Sequence, residues 1–91
     1  MERVSVHVFI NGLVQGVYFR KSLKEEALKN NVTGWARNLP DSRVEAVLQG
    51  RKEDVKKVVN WAKHGPPRAR VTEVEEDWQC PAKEYKKFRI R

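Results

Sequence analysis

The sequence predicts an α+β fold in which two helices cover one face of an antiparallel sheet. Three observations support this prediction. Several segments alternate apolar and polar residues as strands do, two others repeat apolar residues at helical spacing, and glycine, proline and asparagine mark the boundaries. In chain order these segments are strand, helix, strand, strand, helix and strand, with a short piece at the end. Packing both helices on one face is the economical way to bury their apolar residues.

The chain begins with a strand and a helix. Residues 4–11 alternate Val or Ile with Ser, His, Phe and Asn, which is the period of a strand with one buried face. A helix is indicated next by apolar residues that share one side of it, namely Phe19, Leu23, Ala27 and Leu28. The pair Asn30-Asn31 ends this helix.

A hairpin follows the first helix. Residues 32–38 and 43–49 are predicted to form its two strands. The turn between them is indicated by Pro40, which presets one turn dihedral angle, and by Asp41, which can bond its own backbone.

A second helix and two strands complete the chain. The helix carries an apolar stripe that consists of Val55, Val58, Val59 and Ala62. Residues 65–67, Gly-Pro-Pro, end it. Strands at 71–78 and 87–91 then give the βαββαβ order of a ferredoxin-like sandwich with a short extra C-terminal strand. We expect residues 1–91 to form a single domain.

Composition argues against several classes of protein. No run of about 18 apolar residues is present, so we expect no membrane span, and a strand pattern with Glu2 at the N-terminus does not suit a signal peptide. The single cysteine, Cys80, is expected to be an idle thiol because no second cysteine can pair with it. His7 and His64 lack metal-ligand spacing. We therefore expect a cytoplasmic protein without a metal or another cofactor.

The chain is basic, with 19 Lys and Arg against 12 Asp and Glu and a formal net charge of +7. Such a balance attracts anions, which include nucleic acid, acidic membranes and phosphorylated small molecules. A solvated surface explains the charge equally well. The abundance of Lys, Arg and Glu also suits a heat-stable protein.

The link between the first strand and the first helix is the most informative segment. It reads Gly12-Leu13-Val14-Gln15-Gly16-Val17-Tyr18-Phe19-Arg20. Loop N–H groups and a helix N-terminus together form an anion site, and glycine permits the dihedral angles that turn N–H groups inward. Arg20 can bind two phosphate oxygens at once, although an isolated arginine of this kind is more often a surface residue. We expect Tyr18 and Phe19 to pack in the loop or the core.

A second informative segment surrounds the end of the second strand. It reads Gly34-Trp35-Ala36-Arg37-Asn38-Leu39-Pro40-Asp41. In this place Asn38 has a common structural use, which is to form the turn by bonding its own backbone. Its amide can also donate and accept hydrogen bonds, so it is able to hold a water molecule beside a bound phosphoryl group.

These two segments resemble the two signatures of the acylphosphatases, and the order of elements fits the fold of that family over essentially the whole chain. The resemblance implies hydrolysis of carboxyl–phosphate anhydrides to a carboxylate and inorganic phosphate. It implies that Asn38 positions the attacking water and that Arg20 binds phosphate. Phosphate binding is also implied for the loop amides of Gln15, Gly16, Val17, Tyr18 and Phe19.

One residue departs from the pattern of that family. Ser42 stands in the turn after Asp41, where the family usually has glycine. Serine adopts a left-handed dihedral angle at a higher cost than glycine. The aim of Asn38 therefore depends on how this turn forms.

The residue types in the two segments suit hydrolysis without a covalent intermediate. None of them is a His, Cys or Ser poised as a nucleophile, and an amide cannot act as a general base near neutral pH. Phosphoryl transfer depends mainly on positioning and charge stabilisation, and a carboxylate leaves without protonation. The proton of the attacking water is then expected to go to the phosphate or to solvent.

Two other functions stay open at this point. Small RNA-binding domains share the fold plan and a basic surface, but the predicted third strand has no aromatic residue for base stacking, so we expect no nucleic-acid partner. A noncatalytic anion-binding domain of the same fold is disfavoured by the presence of both Arg20 and Asn38. The sequence thus favours a monomeric enzyme that acts on a small-molecule acyl phosphate.

Overall fold

Two helices pack on one face of a five-stranded sheet in the computed structural model, which describes residues 3–79, 81 and 83–91. The elements in chain order are β1 (Arg3–Leu13), α1 (Phe19–Lys29), β2 (Thr33–Asn38), β3 (Val44–Arg51), α2 (Lys52–Ala62), β4 (Arg70–Gln79) and β5 (Phe88–Ile90). Cys80, predicted to be an idle thiol, lies outside the described residues. Neither α1 nor α2 is long and apolar enough to cross a membrane.

The strands lie side by side in the order β4-β1-β3-β2-β5. The first four pair antiparallel, whereas β5 runs parallel to β2. Each helix crosses over one intervening strand, since α1 connects β1 to β2 past β3 and α2 connects β3 to β4 past β1. The predicted ferredoxin-like α+β fold is confirmed, and the short C-terminal strand makes the sheet mixed.

The core lies between the helices and one face of the sheet. Alternate residues of β1 are fully buried there, namely Val6, Val8 and Ile10. One face of α1 is buried in the same core through Phe19, Leu23 and Ala27, and the helix packs against β2, β5 and α2. Leu28, which the sequence predicts on the same side, is exposed, because one further residue turns the side chain by about 100° away from the stripe. The predicted stripe of α2 is buried.

β1 extends beyond its predicted end to Leu13, so Gly12 belongs to the strand and not to the loop that follows. The pairing of β1 with β4 shifts register between Asn11 and Gly12, and Gly12 has a φ of 124°. A Cβ atom at Gly12 would lie 2.0 Å from the carbonyl oxygen of Arg70 on β4. Glycine is therefore required here by the close approach of two strands, and its predicted place in the loop before α1 is wrong.

The face of the sheet away from the helices holds a buried carboxylate. Glu45 on β3 is 6% exposed, and its two oxygens lie 2.6 Å from His7 Nε2 and 2.5 Å from Arg37 Nε. A buried charge requires such partners. Burial raises the pKa of Glu45, but the hydrogen bonds and charges of Arg37 and His7 outweigh this effect, so the pKa lies below its ordinary value of 4.5.

Replacing Glu45 by glutamine should remove a pH-dependent part of the stability. Because the pKa of Glu45 is lowered on folding, its ion pairs stabilise the fold fully above about pH 4.5, and this contribution is lost as the pH falls through the folded-state pKa. We expect Glu45→Gln to lower the free energy of unfolding by about 1–3 kcal/mol at about pH 7 and by less at about pH 2.

Urea unfolding at both pH values measures this difference. Glu25→Gln, at an exposed glutamate of α1, is the matched control and should change little. An equal loss of stability at both pH values in Glu45→Gln would contradict the role of the charge.

Candidate active site

Residues 14–18 link β1 to α1, and the core holds this loop by its side chains. Val14 and Val17 are buried next to Phe19, the first residue of α1. Gly16 has a φ of 76° and Tyr18 a φ of 62°, so two left-handed residues flank Val17. Left-handed residues within a loop turn successive N–H groups toward one side, which is the geometry of a backbone anion site.

The N–H groups of this loop and of the first turn of α1 are not used within the fold. From residue 15 to residue 21, none of them donates to an acceptor in the described part of the chain. α1 has no side-chain cap and no acidic residue in its first turn, whereas α2 has Glu53 and Asp54 there. The partial positive charge at the start of α1 is therefore not neutralised, which favours an anion.

Arg20 is the second residue of α1 and is half-buried. Its Nη1 donates a hydrogen bond to the main-chain oxygen of Arg91 at 3.0 Å. Arg91 is in turn fixed to β2, because its N–H donates to the Ala36 carbonyl at 2.8 Å. The chain after β5 thus orients the guanidinium and leaves its other N–H groups for an anion. No sequence signal marks this role of Arg91, because the contact joins residues 71 positions apart.

Asn38 lies at the end of β2 with an exposed side chain. Within the described chain, its amide takes no hydrogen-bond partner, so forming the turn does not occupy it. Asn38 and Arg20 line the same cavity of about 390 Å³. The other lining residues are Val14, Gly16, Tyr18, Phe19, Lys21 and Ile90. The fold therefore brings the two predicted catalytic residues together at the start of α1.

The charge of this cavity suits an anionic ligand. Arg20 and Lys21 contribute two cations, and the described lining includes no carboxylate and no imidazole. Elsewhere in the described residues, no three His, Cys, Asp or Glu side chains come together to form a group that could hold a metal ion. The cavity can thus bind and orient an anion, and its lining has no side chain suited to general-base work near neutral pH.

Tyr18 differs from the prediction made for it. Phe19 is buried as expected, but the Tyr18 side chain is 70% exposed at the cavity. The left-handed backbone at Tyr18 lies between the buried side chains of Val17 and Phe19, which fill the core, so the tyrosine ring faces solvent. Its interpretation as a packing aromatic is wrong.

Two predicted phosphate-binding residues, Gln15 and Val17, are not among the lining residues. The Val17 side chain is buried in the core. The Gln15 side chain turns to the β2–β3 hairpin, where its Nε2 donates to the Leu39 carbonyl at 2.8 Å and to the Arg43 carbonyl at 3.0 Å. Only the main-chain N–H groups of these two residues are left for phosphate, and that role stays a prediction.

The turn after Asn38 forms with serine in a left-handed conformation. Asp41 acts as the predicted turn residue, since its Oδ1 accepts the Arg43 N–H at 3.2 Å. This backbone hydrogen bond is the main reason why the pKa of Asp41 lies below its ordinary value. Ser42 has a φ of 78°, which glycine adopts more readily. The chain therefore keeps the turn at a backbone cost.

The family model described as Acylphosphatase matches residues 6–90, which include the loop, Arg20 and Asn38. The chain belongs to the acylphosphatase family. It is accordingly an enzyme, a hydrolase.

Individual acylphosphatases match the chain over almost their whole length. A relative named Acylphosphatase from Pyrobaculum islandicum is 55% identical over 91 residues, which cover 99% of this chain and 96% of the relative. The crystal structure of acylphosphatase from Bacillus subtilis has a TM-score of 0.94 at 30% identity, covering 97% of this chain and 98% of the other. The acylphosphatase from Coxiella burnetii has a TM-score of 0.89 at 35% identity, covering 99% and 94%. Relatives from thermophiles fit the heat stability that the composition predicts.

Glycine should be more stable than alanine at position 42. Ser42→Gly and Ser42→Ala both remove the hydroxyl, but only glycine removes the Cβ atom that makes a φ of 78° costly. We expect the free energy of unfolding, measured with urea, to be about 1 kcal/mol higher for Ser42→Gly than for Ser42→Ala.

The same two substitutions at Ser22 provide a control of opposite sign. Ser22 lies inside α1, where glycine is about 1 kcal/mol less favourable than alanine. If alanine were the more stable choice at both positions, the left-handed conformation of Ser42 would be wrong.

Proposed function

We propose that this acylphosphatase hydrolyses the carboxyl–phosphate anhydride bond of acyl phosphates to a carboxylate and inorganic phosphate. Arg20 and the main-chain N–H groups of residues 15–19 hold the phosphoryl group, and Asn38 positions the attacking water. The observation that carries the proposal is the single cavity that Arg20 and Asn38 share at the uncapped start of α1. The proposal includes residues 1–91 acting as one domain.

Charge on the phosphoryl group is balanced by fixed positive groups. The guanidinium of Arg20 matches two phosphoryl oxygens, and its contact with the main-chain oxygen of Arg91 fixes its direction before substrate arrives. N–H groups that have no acceptor in the described chain add partial positive charge without having to break a bond first. Such preorganised donors act most strongly on the charge that the transition state spreads over the phosphoryl oxygens.

Water attacks the phosphorus directly in the proposed reaction. The water oxygen forms the new P–O bond while the bond from phosphorus to the carboxyl oxygen breaks, and the electron pair leaves with the carboxylate. The carboxylate needs no proton, and the proton of the water passes to the phosphoryl oxygens. Asn38 needs only to hold the water, through an amide that no described residue occupies.

The proposal extends to the oligomeric state, the partners and the location of the enzyme. The proposal includes a monomer that acts on a small molecule. The face of the sheet opposite the helices carries Phe9 and Trp35 with an arginine over each ring, but two of its strands disfavour RNA binding. The central strand β3 contributes buried, non-aromatic residues to this face, namely Glu45, Val47 and Gln49. β4 adds acidic residues that repel phosphates, namely Glu73, Glu75 and Asp77. The cytoplasmic location stays a prediction.

Alanine variants of Arg20 and Asn38 should lose different kinetic properties. Hydrolysis of acetyl phosphate, followed in the presence of a chelator, should fall at least about 100-fold in Arg20→Ala, together with weaker inhibition by inorganic phosphate. Asn38→Ala should lower kcat to a similar extent but leave phosphate inhibition nearly unchanged, because Asn38 holds water and not the anion.

Exposed residues of the same types provide matched controls for this pair. Arg68→Ala and Asn60→Ala, at exposed residues that do not line the cavity, should keep full activity. Equal loss of phosphate affinity in Arg20→Ala and Asn38→Ala would contradict the division of roles. Salt-sensitive retention of RNA by a wild-type protein that hydrolyses no acyl phosphate would favour the binding module instead.

The turnover rate should show no ionisation of an enzyme carboxylate or imidazole near neutrality. The described lining of the cavity holds neither group, so kcat is expected to be flat between about pH 5 and 8. Steady-state kinetics with saturating benzoyl phosphate at each pH measure it. A bell-shaped profile with a limb in this range, in a protein shown to stay folded, would reveal a general base and reject the direct mechanism.

A further inference from the structure

The two halves of the proposed site lie on elements that do not pair with each other. The loop at residues 14–18 joins β1 to α1, whereas Asn38 ends β2, and β3 separates β1 from β2 in the sheet. Direct strand pairing therefore does not set the distance from the loop to Asn38. This distance matters, since a misplacement of about 1 Å between reacting groups can cost about 100-fold in rate.

The Gln15 side chain bridges the two halves. Its Nε2 donates to the carbonyls of Leu39 and Arg43 at 2.8 and 3.0 Å. Leu39 follows Asn38 directly, and its own N–H donates to the Arg43 carbonyl at 2.8 Å. The carbonyls of Leu39 and Arg43 therefore lie on the two sides of the hairpin turn, directly after β2 and directly before β3. One side chain from the loop is thus bonded to both sides of the turn that carries Asn38.

The chemistry of glutamine suits this contact. A primary amide carries two N–H donors on one nitrogen, and here both find main-chain carbonyls. Glutamate in the same place would present only acceptors to two carbonyl oxygens. The turn also includes Ser42 in a strained left-handed conformation, so it gains from an external support.

We propose that the Gln15 side chain is a positioning residue that holds Asn38 at the distance from the phosphoryl group that water attack requires. The inference rests on the proposed function, in which the main-chain N–H of the same residue contacts the phosphoryl group. Gln15 thereby joins the two halves of the site, because its main-chain N–H binds the anion and its side chain binds the hairpin. Its side chain does not touch the reacting atoms, and it acts through the main chain next to Asn38.

Gln15→Leu removes both donors at similar side-chain size. The kcat for acetyl phosphate should fall about 10-fold to 100-fold. KM and the inhibition constant of inorganic phosphate should each change by less than about threefold, because Arg20 and the main-chain N–H groups stay in place. Gln15→Glu should lower kcat at least as much. The matched control is Gln79→Leu, at an exposed glutamine of β4, which should keep kcat.

A double-mutant cycle separates positioning from general support of the fold. In an Asn38→Ala background, Gln15→Leu should lower kcat by less than about threefold further, because the Asn38 amide that Gln15 positions is already absent. If the two losses multiply in full, Gln15 acts independently of Asn38 and the inference is overturned.

A second variant keeps the test valid if Gln15→Leu does not fold. Adding Ser42→Gly, which relieves the strain of the turn, should restore folding while kcat stays low. Recovery of kcat together with folding would overturn the inference. If the wild type is active and a folded Gln15→Leu variant is equally active, the inference is overturned but the proposed function is not. If the wild type does not hydrolyse acetyl phosphate, both the proposed function and the inference are overturned.

Discussion

The site depends on a stretch of backbone that folding leaves without acceptors. Unbonded N–H groups are costly when water cannot reach them, and from residue 15 to residue 21 they form one continuous run in the described chain. Such a run keeps its shape only if something else fastens it. Here Val14, Val17 and Phe19 do so, since each buries its side chain in the core on one side or the other of Gly16. The hydrophobic effect thus stabilises, by roughly 1.5–3 kcal/mol per side chain, a loop whose polar groups stay available.

The charges at the start of α1 run against what helix stability favours. Cations near a helix N-terminus oppose the helix dipole and cost about 0.3–1 kcal/mol each, yet α1 has Arg20 and Lys21 and no acidic residue in its first turn. α2 also starts with a cation, Lys52, but it adds the stabilising acidic residues Glu53 and Asp54 in its first turn. The two helices therefore differ in the charge of their first turns, and the helix without acidic residues there is the one that begins at the cavity. A local departure from the stabilising pattern is expected where an anion completes the structure.

Sequence reasoning succeeded where a feature depends on near neighbours in the chain. Alternation predicted the strands and the buried face of β1, and the cost at Ser42 followed from its place in a turn. It was wrong for Gly12, whose conformation is required by a carbonyl on β4, and for Tyr18, whose ring is turned outward by the burial of its neighbours. The contacts of Gln15 with the hairpin and of Arg91 with Arg20 join distant parts of the chain. No local pattern carries such contacts, because only the register of the folded sheet creates them.

The chemistry of the cavity also bears on which phosphate compounds the enzyme can hydrolyse. In the proposed mechanism, Arg20 and the loop N–H groups stabilise the charge that every phosphoryl transfer develops on the phosphoryl oxygens. Hydrolysis of an alkyl phosphate further requires a proton for the departing alkoxide, which is a much poorer leaving group than a carboxylate. A carboxylate departs without that help. On the proposed mechanism, discrimination in favour of acyl phosphates therefore comes from the leaving group itself, and the acyl portion needs no close-fitting pocket of its own.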